Sequence, residues 1–220
     1  MTAKSDRLSI LSDAEIEALY GLPNCDEGQQ LEYLALSEAE LALACSRHGL
    51  HAQLHCVLQI GYFKAKRAFF LFDWDDVAED CAFVTSRYFQ DQSVELLPIS
   101  RHERYAQRNG ITALAGYQPW SAAWVPWLAS LAAQLVRSDV TPSFVAMALI
   151  TALSERKIIR PGYTTLQEIV SVALSAERRR LGALLDSLLD EPLKSALPSK
   201  RTSAPAIWIS ITPERSATAS

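Results

Sequence analysis

Cysteine and histidine side chains are concentrated in one short stretch of the chain, residues 45–56. His51 and His55 are four residues apart with Cys45 nearby, and imidazole and thiolate groups together suit zinc. The spacing matches no established zinc motif, and Cys45 and Cys56 fall on apolar helix positions, where free cysteine acts as a small hydrophobic residue. A metal-dependent hydrolase built on Cys45, His51 and His55 stays an alternative, but we expect no metal site and no cofactor.

The same stretch contains side chains that could contact DNA. At a glycine-containing turn, and at the start of the helix predicted to follow it, lie Arg47, His48, His51 and Gln53. In a helix-turn-helix unit the first residues of the second helix face base edges and phosphates, so we expect these four at or near bases. The competing interpretation is a solvated, polar helix start with no binding role.

Three further groups of residues could hold phosphates. One follows the second helix and alternates with aromatic rings, one forms the basic face of a later helix, and one leads into a helix start, where free N–H groups favour anions. In chain order these groups are Lys64, Lys66 and Arg67, then Arg101 and Arg104, on a helix face that also includes Arg108, and finally Arg156, Lys157, Arg160, Thr164 and Thr165.

Residues suited to catalysis are few. Asp73, Asp75 and Asp76 could bind a divalent ion, but three acids at a helix start more often interact with the helix dipole. The chain contains no GxSxG, P-loop, HExxH or glycine-rich nucleotide turn. We therefore predict no catalytic residues and a protein that is not an enzyme.

Apolar side chains recur at three- and four-residue steps almost throughout, which predicts an all-α fold. Capping boxes at Ser12 with Glu15 and at Ser37 with Glu40 mark two helix starts. The predicted helices cover residues 12–20, 37–47, 51–64, 75–89, 100–115, 121–137, 141–156 and 164–189. Short strands are conceivable only around residues 69–72 and 207–211. Because the second and third predicted helices flank a turn at Gly49, they form a candidate helix-turn-helix.

Composition excludes several classes of protein. The chain has 220 residues with 49% hydrophobic content, which suits a buried core rather than a disordered chain. No apolar run is long enough to span a membrane, and the N-terminus lacks the apolar segment of a signal peptide, so we expect a cytoplasmic protein. Four cysteines without a CxxC pair indicate reduced thiols.

The net charge of −4 argues by itself against a nucleic-acid-binding protein. Charge is nevertheless distributed in blocks, and residues 41–72 contain four basic and no acidic side chains. Such segmentation predicts separate acidic and basic faces rather than one uniform surface.

Changes in sequence character predict three parts. Residues 1–116 would form a first helix-turn-helix-like subdomain, ending at a break around residues 116–120. Residues 117–197 would form a second helical subdomain, and residues 198–220 a disordered or frameshifted tail rich in Ser, Thr, Ala and Pro.

Several motifs, in order and at preserved spacing over residues 7–197, resemble the N-terminal, DUF4158-like region of Tn3-family transposases. They are LSDAEIEALYGLP at 11–23, YLALS at 33–37, RHGLHAQLHCVLQ at 47–59, RHE at 101–103, GYQPW at 116–120 and IIRPGYTTL at 158–166.

The resemblance implies a region that recognises the terminal inverted repeats of a transposon through two helix-turn-helix units. In that family the chemistry belongs to a carboxylate-rich, metal-dependent domain further along the chain, so we expect this fragment to bind double-stranded DNA without cutting or joining it. The other expected partners are a second copy of this chain or an intact transposase. The rival function is an all-helical protein-interaction or regulatory module that does not bind DNA.

Overall fold

The structure, a computed structural model, describes residues 8–90, 92 and 94–188. Every regular element within these ranges is helical, so the predicted all-α class is confirmed. The helices are α1 (Asp13–Tyr20), α2 (Glu27–Tyr33), α3 (Glu38–Cys45), α4 (Leu50–Lys66), α5 (Ala78–Tyr88), α6 (Arg101–Leu114), α7 (Val125–Ser138), α8 (Pro142–Glu155) and α9 (Tyr163–Leu188). Short 3-10 turns at Trp74–Val77 and Ala122–Trp124 precede α5 and α7. None of the described helices combines the length and hydropathy needed to cross a lipid bilayer.

Local capping fixes the start of the first three helices. The predicted boxes of Ser12 with Glu15 and Ser37 with Glu40 are both present. A third box, formed by Asp26 and Gln29, begins α2, a helix that the apolar spacing does not predict. Each box satisfies backbone N–H groups that a helix start leaves without partners.

No strand forms at residues 69–72. The Gln59 side chain takes the place of a partner strand: its Nε2 donates to the Phe70 carbonyl at 2.6 Å, and its Oε1 accepts from the Phe70 N–H at 3.3 Å. The other conceivable strand, at 207–211, and the predicted tail lie outside the described residues.

Helix α4 is the centre of the first hydrophobic cluster. Eleven of its 17 residues are buried, because α2, α3, α5 and α6 all pack against it. Its buried polar groups have partners: the Tyr62 hydroxyl donates to Asp80 at 2.7 Å, and Gln30 donates to the same carboxylate at 2.8 Å. Such pairing is needed because an unpaired polar group in a core is costly.

A second hydrophobic cluster forms between α7, α8 and α9, and Ile10 and Leu11 from the start of the described chain also belong to it. Contacts divide the whole chain into a unit that ends at Arg179, which contains both clusters, and a second unit from Arg180, of which residues 180–188 are described and helical. The predicted boundaries at 116 and 197 stay predictions.

One short extended segment contributes to both clusters. Gln118 donates its N–H to the Lys157 carbonyl at 2.7 Å and accepts from the Ile159 N–H at 2.9 Å. Ile158 belongs to the second cluster and Ile159 to the first. Because successive side chains of an extended chain point to opposite sides, two neighbouring isoleucines can serve two cores.

The close approach of α2 and α4 can be tested at Gly61. A Cβ there would lie 2.3 Å from Leu34 Cδ2, and Leu34 is completely buried and cannot move aside cheaply. Gly61→Ala should therefore lower the free energy of unfolding by about 1–3 kcal/mol, as overpacking does. Urea denaturation followed by circular dichroism measures this change.

Gly182→Ala in α9 is the matched control. No described atom lies within 4 Å of a Cβ at this helical position, so alanine should leave stability unchanged or raise it by up to about 1 kcal/mol. Equal stabilities for the two variants would contradict the observed packing of α2 on α4.

Candidate nucleic-acid interface

Helices α3 and α4 form the predicted pair, and Gly49, with φ of 84°, ends the turn between them. The middle of α4 is buried, so only its two ends are accessible. At the end that a recognition helix would present to bases, the accessible groups are His48, His51 and the turn itself. The helix-turn-helix interpretation is thus limited to one exposed corner and stays a prediction.

Two predicted base-contacting side chains already have partners inside that corner. Gln53 donates its Nε2 to the carbonyls of Cys45 at 3.3 Å and Arg47 at 3.1 Å. The Arg47 guanidinium donates to Ser46 Oγ at 2.8 Å. Gln53 thereby satisfies carbonyls at the end of α3, a structural role that sequence spacing alone does not indicate.

One of the two histidines on which the zinc alternative depends, His55, is in the core. His55 Nδ1 lies 2.7 Å from Gln107 Oε1, and its ring stacks on Phe72 at 5.0 Å. Gln107 Nε2 donates to Ala52 O and Glu103 Oε1, so Gln107 Oε1 is an acceptor and His55 Nδ1 bears the proton.

Neither Cys45, the cysteine of that alternative, nor the nearby Cys56 completes a metal site. Burial raises the pKa of the Cys56 thiol to about 12, which opposes the thiolate that zinc needs, whereas Cys45 is exposed. Within the described ranges, no three Cys, His, Asp or Glu side chains lie close enough together to hold a metal ion.

Lys64 and Lys66 both bind backbone carbonyls. Lys66 Nζ donates to Glu17 O at 3.0 Å and Gly21 O at 2.7 Å, where α1 ends. Lys64 Nζ donates to Ala35 O at 2.6 Å and pairs with Glu40 at 3.5 Å. A cation is favourable beside the carbonyls at a helix C-terminus, so both ammonium groups stabilise the fold. Their predicted phosphate contacts would have to compete with these bonds.

In the third predicted group, one residue also binds a backbone carbonyl, whereas others are exposed. Arg160 is half-buried, lies over the Tyr20 ring at 5.1 Å and donates to the Leu19 carbonyl. Burial lowers the pKa of its guanidinium. Arg156 is exposed and stacks on Trp127 at 4.5 Å, and Lys157 is exposed beside it. Thr164 is exposed and Thr165 half-buried in the first turn of α9. Of this group, Arg160 has a clear structural role.

Helix α6 and the segment after α4 enclose a groove, which we call the α6 groove. Its volume is about 900 Å³. Arg101, Arg104 and Arg108 line it, and all three are exposed. The residues that complete its lining are His55, Gln59, Phe69, Phe70, Leu71, His102, Tyr105 and Gln107. No carboxylate occurs among these lining residues.

The groove combines positive charge with exposed apolar surface. Arg108 lies over the Phe69 ring at 5.4 Å, which in turn stacks on Phe63 at 5.0 Å. Tyr105 is 65% exposed and Leu71 is 80% exposed at its rim. The sequence predicts the arginine face of α6, and His102 and Tyr105 lie on the same helix. The opposite wall comes from non-local packing that gives no local signal.

None of the three arginines forms a salt bridge with a carboxylate of a described residue. Arg104 also lines a neighbouring smaller cavity that contains Asp73 and Asp76. The α6 groove is therefore a cationic surface in a chain whose net charge is negative.

The buried histidine gives a pH-dependent stability. Burial lowers the pKa of His55 below 6.5, so below this pH the unfolded chain binds more protons than the folded protein. The free energy of unfolding should fall as the pH decreases from about 6.5, by at most about 1.4 kcal/mol per pH unit. Urea denaturation at pH 7.5 and 5.5 tests this.

His55→Asn, whose amide can still donate to Gln107, should have a smaller loss of stability between these two pH values. An equal loss in both proteins would assign the pH dependence to other groups.

We expect Lys66 to stabilise the folded protein. Lys66→Met removes two hydrogen bonds from a charged donor and should lower the free energy of unfolding by about 1–2 kcal/mol. Arg137→Met is the control, since Arg137 is exposed and makes no hydrogen bond within the described part of the chain. If both substitutions have the same small effect in thermal and urea denaturation, the ammonium does not hold α1.

Comparison with known proteins adds one finding to this geometry. No curated protein matches the sequence. A family model described as a domain of unknown function (DUF4158) matches residues 10–173, which is 164 of the 220 residues. The match includes α1 to α8 and the first part of α9, and thus the α6 groove. The DUF4158 part of the resemblance is confirmed: the chain belongs to the DUF4158 family.

Proposed function

We propose that the chain binds double-stranded DNA without catalysing a reaction on it, and that the α6 groove faces the duplex. One observation supports this above the others: an acidic chain gathers three exposed arginines and two histidines around a groove of about 900 Å³ whose lining includes no carboxylate. Phosphate neutralisation by Lys and Arg supplies most of the affinity of DNA-binding proteins.

The spacing of the arginines suits a nucleic-acid backbone. Arg101, Arg104 and Arg108 lie on one side of α6, and the seven-residue step from the first to the last rises about 10 Å. Charges along one DNA strand follow each other every 3.4 Å of helix axis, so the three guanidinium groups can serve about three consecutive nucleotides.

Base recognition can come from the same helix. Helix α6 has 14 residues and an exposed face, whereas α4, the recognition helix that the sequence predicts, is buried. A helix fits the major groove, and arginine binds guanine there through two hydrogen bonds. We propose α6 as the main reading element, with His48, His51 and the exposed Arg156, Lys157 and Thr164 as further contacts.

We further propose that the region is the end-binding part of a Tn3-family transposase. The family match and the order of the motifs from residue 11 to residue 166 support this. The target would then be the terminal inverted repeats of a transposon, the protein would be cytoplasmic, and a second copy or an intact transposase would be its protein partner.

A protein-interaction module is the second candidate function. The exposed side chains of Leu71 and Tyr105 at the groove rim favour it, because apolar contacts beside arginines suit an acidic, partly apolar peptide. This function requires no DNA, so one assay separates the two.

The assay is a gel-shift titration at several salt concentrations, with duplexes containing Tn3-type inverted repeats and shuffled duplexes of equal length. Arg104→Ala and Arg108→Ala should each weaken binding to both duplexes and reduce the slope of log K against log salt by about one. A larger loss on the repeat duplex would identify a base contact, worth about 1–3 kcal/mol.

Arg87→Ala is the matched control. Arg87 is exposed on α5 and stacks on Phe83 and Tyr88, as Arg108 stacks on Phe69, but it lies outside the α6 groove. We expect its salt slope to equal that of the unmodified protein. Absence of any shift at low salt would reject DNA binding and favour the protein-interaction module.

A further inference from the structure

A further cavity, distinct from the α6 groove and from the cavity that contains Asp73 and Asp76, lies at the ends of α4 and α6 and has a volume of about 440 Å³. Three cations line it, Lys64, Arg67 and Lys157, together with one acid, Glu40. We call it the Arg67 cavity. Ser37, Ile60, Phe63, Ile111, Leu114, Ala115 and Tyr117 complete its lining.

Charge in the Arg67 cavity is unbalanced. Glu40 is already engaged, since it pairs with Lys64 at 3.5 Å and accepts the Ser37 N–H at 2.7 Å. Neither Arg67 nor Lys157 forms a salt bridge within the described residues, and both are exposed. The cavity therefore retains two positive charges without a counter-ion from this part of the chain.

Backbone conformation points to the same two residues. Arg67 has φ of 51° and Lys157 has φ of 53°, and they are the two non-glycine residues with positive φ in the described ranges. Each follows a helix end, a position where glycine adopts this conformation at no steric cost. The chain places a long cationic side chain at each of these positions, and both line one cavity. Residues held in unfavourable backbone conformations cluster at functional sites.

Contacts within the protein hold the Arg67 guanidinium and the backbone of Lys157 in place. The Arg67 guanidinium lies 6.0 Å from the Phe63 ring and 5.7 Å from the Tyr117 ring. The Lys157 carbonyl accepts from Gln118, in the segment shared by both hydrophobic clusters. The backbone at Lys157 and the guanidinium of Arg67 are thus held in place before a ligand binds, which favours binding.

We propose that the Arg67 cavity holds one phosphate group, bound by Arg67 and Lys157. The inference rests on the proposed function, in which the group is a phosphodiester of the DNA backbone, and a free phosphate is the other source of the same chemistry. Arg67 and the groove arginine Arg108 contact the two members of one stacked pair, Phe63 and Phe69. A strand that leaves the α6 groove would therefore reach the cavity next.

Because both residues have positive φ, their cations can be removed by substitution with glycine at little cost in stability. Arg67→Gly and Lys157→Gly each remove the cation and also relieve the positive φ. This relief offsets the ring contacts that Arg67 loses, so both variants should melt near the temperature of the unmodified protein in chloride buffer. Any loss of binding then cannot come from unfolding. Arg67→Lys keeps the charge, and Arg87→Ala removes a stacked arginine elsewhere.

The first measurement uses no DNA. Thermal unfolding of the full chain is followed during titration with inorganic phosphate, against sodium chloride at equal ionic strength and pH. Phosphate stabilises most proteins weakly by exclusion from their surface, an effect that does not saturate. The specific effect is therefore a saturable rise in melting temperature in excess of this non-saturating rise. We expect this excess in the unmodified protein and in Arg87→Ala, a reduced excess in Arg67→Lys, and none in Arg67→Gly or Lys157→Gly.

The second measurement is the gel-shift titration with the same variants. If the phosphate belongs to DNA, each glycine variant should bind about tenfold more weakly near 0.1 M salt, with a salt slope smaller by about one. If the phosphate effect depends on Arg67 and Lys157 but DNA affinity does not, the cavity binds a free phosphate.

An equal phosphate effect in all proteins would overturn the inference, whatever the DNA result. Failure of the unmodified protein to shift DNA would instead reject the proposed function, and the phosphate titration would still decide whether the cavity binds an anion.

Discussion

The burial of α4 on every side is the constraint on which the rest of the structure depends. A helix with His55, Gln59 and Tyr62 among its buried residues is stable only if each polar group meets a partner from another element. Gln107 of α6, the backbone of Phe70 and Asp80 of α5 supply those partners. These bonds place α6 and the segment after α4 on either side of one surface, so the requirements of the core determine where the α6 groove forms.

Features encoded by neighbouring residues are predictable from the sequence. The boxes at Ser12 and Ser37 involve side chains three residues apart, and the apolar spacing of α4, α6 and α8 is equally local. Helix α2 shows the limit, because seven residues that include Gly28 give too little apolar period to recognise. Its capping pair, Asp26 and Gln29, is the signal that could have found it.

The candidate site is less predictable because a cation looks the same in sequence whether it faces solvent or a carbonyl. Lys66 and Arg160 bind backbone atoms of residues far away in the chain, at Glu17 and Leu19. Arg101 and Arg108 have no such partner among the described residues, and only packing reveals the difference. Basic blocks in this chain therefore identify candidate segments, while long-range contacts decide which members remain available to a ligand.

The two isoleucines at positions 158 and 159 restrict which sequence changes members of this family can accept. Ile158 and Ile159 enter different hydrophobic clusters from adjacent positions, held in register by the two hydrogen bonds to Gln118. Gain or loss of one residue here would turn each isoleucine toward the wrong core, since side chains alternate along an extended chain. Homologues should thus tolerate exchange among apolar side chains at these buried positions while conserving the exact number of residues between α8 and α9.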